Sequence, residues 1–168
     1  MQPSEALSAS AQMAVTLAGF AGVVVAFRNR AVHEWSKIDK FRLQILLTNS
    51  AIPFVLSIFA MVLLSTSLDP VTIWRLCSLF SFIILVTMAS RYRASYRRFS
   101  QKEFGASGGK TLIFYAGSLL GTAAVLLQLY NVIIVQAFWP FFAAIATLLV
   151  LAMLQFVLIV TIHDDAKS

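Results

Sequence analysis

LQILLTNSAIPFVLSIFAMVLLST, residues 43–66, runs for 24 residues without a charged side chain. A helix rises about 1.5 Å per residue and the hydrocarbon of a bilayer is about 30 Å thick, so roughly 20 apolar residues suffice to cross it. The stretch therefore predicts a membrane-spanning helix. Comparable runs lie on either side of it, at about residues 6–27, 71–90, 111–130 and 138–162. Across the 168 residues 60% are apolar and the mean hydropathy is +0.85. Soluble domains average about 45–50% apolar, and here the surplus is gathered into runs. The expected fold is all-α and membrane-integral: a five-transmembrane-helix bundle forming one membrane domain over residues 1–168. The segments outside the bilayer, the longest of them residues 28–42 and 91–110, are each too short for a soluble domain of their own.

The charges divide those connections into two kinds. Residues 28–42 carry Arg28, Arg30, Lys37, Lys40 and Arg42, and residues 91–110 carry Arg91, Arg93, Arg97, Arg98, Lys102 and Lys110. Eleven of the 13 basic residues fall in these two segments, whereas the connections on the other side hold Asp69 alone. Short loops rich in Lys and Arg remain on the cytoplasmic side. This predicts an N-terminus outside, a cytoplasmic C-terminus and a multi-pass protein of the plasma membrane, with the bacterial inner membrane as the expected setting. The net charge of +6 then points to anionic lipids at the cytoplasmic face and away from nucleic acid. The first apolar run has no basic leader and ends in Phe27-Arg28, so it reads as a retained span and not as a cleaved leader.

Local signals set the helix ends. Ser36 and Asp39 have the spacing of a capping box ahead of the second span, which is expected to begin before the membrane. Asp69-Pro70 reads as an N-cap followed by a first-turn proline, so helices two and three form a tight hairpin. The third helix is expected to continue past Ser90, because Tyr92, Tyr96 and Phe99 keep helical spacing among the arginines. In the first helix Ala6, Ser10, Ala14, Ala18, Gly22 and Ala26 recur at every fourth position, with Gly19 alongside. Gly117 and Gly121 repeat that spacing in the fourth helix. Small residues let helices approach closely in lipid, so Ala14, Ala18, Gly22, Ala26, Gly117 and Gly121 are candidate packing positions.

Chemistry is sparse. No Asp, Glu, His or Lys falls within a span, and proton-coupled transport needs titratable groups at depth. The lone Cys77 and the separated His33 and His163 do not form a metal-ligand set, so no metal, no cofactor and no enzymatic activity are expected. Gly105 to Thr111 ends like a phosphate-binding loop, but Phe104 stands where the motif needs its first glycine. Uncharged polar residues remain. Thr48 and Asn49 precede Pro53, which removes a helical hydrogen bond near the bilayer midplane, and Gln128 and Gln155 lie deep in the last two spans. These five are the candidate pore-lining or polar-contact residues. Arg91, Arg93, Arg97 and Arg98 are the candidate lipid- or anion-facing group.

The function expected from this inventory is that of an accessory, scaffold or assembly subunit of a membrane complex, through self-association or a partner membrane protein. The alternative is a homo-oligomeric ion channel or pore, favouring anions through its basic cytoplasmic face.

Overall fold

The computed structural model describes residues 2–27, 35, 37–96 and 108–161. These form five α-helices: α1 (Pro3–Phe27), α2 (Lys37–Leu64), α3 (Pro70–Tyr96), α4 (Gly108–Tyr130) and α5 (Phe138–Thr161). A π-helical turn, Asn131–Val135, joins the last two. No strand occurs among the described residues. All five helices are long and apolar enough to cross a membrane, and the protein is a multi-pass, all-helical membrane protein. Ser36 and the basic residues Arg28, Arg30, Arg97, Arg98 and Lys102 lie outside the described residues.

The prolines mark the helix boundaries. Pro3 and Pro70 open α1 and α3, and Pro140 sits in the first turn of α5, where a missing amide costs nothing. Glu5 Oε2 accepts from the Gln2 amide at 3.1 Å, closing the start of α1. Asp69 Oδ2 accepts from the Thr72 amide at 2.9 Å and caps α3. Pro53 alone is interior, and α2 runs unbroken through it. Beyond Ser90, α3 continues to Tyr96 with Arg91 and Arg93 exposed.

The helices group into two compact units, one of residues Met1–Thr66 and Leu148–Ser168, the other of Ser67–Thr147. In the first, α1 packs on α2. The side of α1 that is buried contains Leu7, Ser10, Ala14, Leu17 and Ala21, an alternation of three and four residues. That alternation averages 3.5 residues per turn and keeps the seam on one straight neighbour, as in left-handed helix pairs. A strict four-residue stripe drifts away from such a seam. Ala14 is accordingly buried and Ala18 half-buried, while Gly22 and Ala26 stand exposed. The facing side of α2 is Leu46, Asn49, Ser50, Pro53, Leu56, Ser57 and Ala60. Phe20 also meets Phe156 of α5, with ring centroids 5.9 Å apart.

In the second unit α3 packs on α4 and on the π turn. Ile73, Trp74, Cys77, Ser78, Ser81 and Leu85 form the inward side of α3. Trp74 stacks obliquely on Phe138 and Phe141, at centroid separations of 5.0 Å and 6.3 Å.

Candidate functional site

Without Asp, Glu, His or Lys within a span, the chemistry of this chain rests on uncharged hydroxyls and amides, and their use differs from residue to residue. Many are spent on their own helix. Ser10 donates to Ala6 O, Ser50 to Leu46 O and Thr147 to Ala143 O, at 2.8–2.9 Å. Such bonds use the hydroxyl's one proton a turn back and leave it no donor to offer a neighbour.

The exception in the second unit is Asn131. It ends α4 and is fully buried. Its Nδ2 donates to Ser78 Oγ at 2.6 Å and to Ala137 O at 3.0 Å, and its Oδ1 accepts from the Ala137 amide at 3.0 Å. Its carbonyl accepts from the Gln136 amide at 2.9 Å, across the π turn. Gln136 sits at φ 51°, the left-handed conformation that ends a helix and turns the chain. One side chain therefore tethers the α4–α5 connection to α3. A turn before it, Gln128 Nε2 donates to the carbonyl of Pro140 at 2.7 Å, tying α4 to α5 a second time.

The Asn131–Ser78 bond fixes an antiparallel register between α3 and α4. Three residues further along α3 and three back along α4 stand Ser81 and Gln128. Both are fully buried, and neither Ser81 Oγ nor Gln128 Oε1 has a hydrogen-bond partner. Buried polar atoms are nearly always paired, so these are unusual.

The first unit carries a matching pair on α2. Asn49 Oδ1 and Ser57 Oγ are buried without partners. Between them Pro53 has no amide to give the Asn49 carbonyl, so two acceptors at this residue lack the donor they would ordinarily have. Asn49, Pro53 and Ser57 follow a spacing of four and lie along one side of the helix.

Of the sequence candidates, Asn49, Pro53 and Gln128 are buried, and Thr48 and Gln155 are half-buried. Asn49, Thr48, Pro53 and Gln155 belong to the first unit and Gln128 to the second. Gly117 and Gly121 are half-buried, and a Cβ built at Gly19, Gly22 or Gly121 meets no atom within 4 Å. Ser78, Ser81 and Asn131 were not among the expected site residues. The two serines carry no sequence signal that separates them from hydroxyls bonded to their own helix. Asn131 could have been noticed, since Ala124, Gln128 and Asn131 repeat the same alternation of four and three that marks a buried seam.

These features define a class, an all-helical multi-pass membrane protein whose deep polar groups are amides and hydroxyls. No protein-family model, curated protein or solved structure matches the chain.

Proposed function

We propose that the protein is a non-catalytic accessory or scaffold subunit of a membrane complex. In this reading it sits in a bacterial inner membrane with its N-terminus outside and its C-terminus in the cytoplasm, as the distribution of arginine and lysine favours. The observation that carries the proposal is the open small-residue seam of α1. Gly19, Gly22 and Ala26 are exposed, and among the described residues nothing beyond the adjoining backbone of α1 lies within 4 Å of a Cβ built at either glycine. Lipid-embedded helices associate by close approach at such residues.

The basic face is assigned to lipid. Arg91 and Arg93 project from the end of α3, and each basic residue near an anionic surface contributes about 1 kcal/mol of attraction. Arg97 and Arg98 follow in the sequence and extend the same charged segment.

Gly22→Leu and Ala26→Leu test the seam. Both positions are open, so the variants fold with unchanged thermal midpoints, and they lose the proteins that co-purify with the native chain. Unchanged co-purification would remove the proposal. A homo-oligomeric pore is the second reading, favoured by the half-buried Thr48 and Gln155 and by the unpaired Asn49 Oδ1 one turn before Pro53. It requires a single symmetric homo-oligomer by mass measurement, current in planar bilayers, and altered conductance in Asn49→Ala or Gln128→Ala. Bilayers that stay silent across voltage and pH exclude it.

A further inference from the structure

The two connections that lie two crossings apart, α2–α3 and α4–α5, are built from opposite materials. Residues 65–69 read Ser-Thr-Ser-Leu-Asp, with Asp69 capping the next helix. Residues 131–137 read Asn-Val-Ile-Ile-Val-Gln-Ala, and the 52 residues between Lys110 and His163 contain no charge at all. The span that includes α4 is apolar enough to cross a membrane through Val135, and the next begins at Phe138. Only Gln136 and Ala137 separate them, against five residues between Leu64 and Pro70.

A turn this apolar still has backbone groups to satisfy, and in lipid they must find partners within the protein. Asn131 supplies several of them. Its side chain takes both the amide and the carbonyl of Ala137, and its own carbonyl takes the Gln136 amide. Pro140 removes one donor from the first turn of α5 and passes its carbonyl to Gln128. With these groups engaged inside the protein, the side chains left on the outside are apolar. Ile133 and Ile134 are 63% and 64% exposed, flanked by Tyr130 at 48% and Trp139 at 56%. Tyr and Trp favour the headgroup level, where an amphipathic ring has one wet end.

We infer that the α4–α5 connection rests inside the membrane interface, with Ile133 and Ile134 inserted among lipid acyl chains and Tyr130 and Trp139 at headgroup level. The α2–α3 connection stands in water. The inference concerns lipid contact and holds whether the protein acts as a scaffold or as a pore.

Ile134→Cys and Ser67→Cys, each in a Cys77→Ala background and reconstituted in phosphatidylcholine vesicles, decide it. Both positions are exposed on the protein surface, so neither change disturbs packing. With two crossings between them they face the same compartment. A membrane-impermeant maleimide labels Ser67→Cys and leaves Ile134→Cys unlabelled until detergent is added. In a second measurement the native chain is reconstituted in phosphatidylcholine brominated along its acyl chains. Trp35 and Trp74 are buried, so quenching reports Trp139, and bromines near the glycerol end quench it more than bromines near the methyl end. Equal labelling of the two cysteines overturns the inference. Protection of Ile134→Cys without quenching of Trp139 also overturns it, because the cover is then protein and not lipid.

Discussion

Asn131 and Asn49 are the same residue type, both buried in helices of a chain without titratable groups at depth, and they are used in opposite ways. Asn131 spends its amide on Ser78 and on both ends of the Ala137 peptide. Asn49 keeps an idle carbonyl oxygen and sits one turn before a proline that cannot donate to its backbone. The difference teaches that a polar residue within a membrane span is not by itself a sign of function. What matters is whether the fold has already consumed it. By that criterion Asn131 is consumed by the fold, and Asn49 is a buried polar group that the fold leaves unpaired.

The largest effect expected is on removing the consumed residue. Asn131→Ala gives up three hydrogen bonds and strands the part-buried amide and carbonyl of Ala137. Bonds of this kind contribute roughly 0.6–1 kcal/mol each, so a loss of about 2–3 kcal/mol is expected, read as reduced resistance to unfolding in detergent. Asn131→Asp is expected to be worse, since a buried carboxylate oxygen would replace the donor that now meets the Ala137 carbonyl and set two acceptors against each other. A neutral Asn131→Ala would break the comparison at its stronger end.

Asn49→Leu is expected to go the other way. Replacing an unpartnered polar group by an apolar one of similar size removes a desolvation cost, so the isolated chain should gain up to about 1 kcal/mol. If Asn49→Leu destabilises the isolated chain as much as Asn131→Ala does, Asn49 has a partner within the fold and the contrast fails.

A double-mutant cycle sharpens the picture further. Ser78→Ala and Asn131→Ala are expected to couple by roughly 0.5–1 kcal/mol, because they remove the two ends of one bond. Ser81→Ala, whose hydroxyl has no partner, should be close to neutral and additive with Asn131→Ala. Coupling at Ser81 as strong as at Ser78 would mean that the Ser81 hydroxyl belongs to the same network.

The five helices were legible in the sequence because length and hydropathy depend only on neighbouring residues. The end of the α2–α3 hairpin was legible for the same reason, since the cap of Asp69 on Thr72 lies within four residues. Packing was not legible in that way. The four-residue stripe of α1 is plain in the sequence, yet burial follows Leu7, Ser10, Ala14, Leu17 and Ala21, because the seam is chosen by the neighbour and not by the stripe. The role of Asn131 depends on a π turn and on a serine 53 residues earlier in the chain, which no local pattern encodes. Sequence reasoning could name the polar residues at depth. It could not say which of them the fold would use up.

Asp69 extends the comparison to a polar group that is used but stands in water, and there the effect should be smallest. The Thr72 amide, and after it the Thr72 hydroxyl, holds the Asp69 carboxyl below its ordinary value of 3.8. The folded state therefore favours the charged form. This contribution is fully present above the ordinary value and is lost as pH falls through the lowered one. Asparagine can still cap the helix but cannot titrate. The thermal midpoint of the native chain should exceed that of Asp69→Asn at neutral pH, and the gap should close as acidification carries the pH below the lowered value. Every other side chain is common to the two proteins, so the difference between the two curves isolates Asp69. A gap that stays constant with pH would show that the charge adds nothing to the cap, leaving hydrogen-bond geometry as its whole contribution.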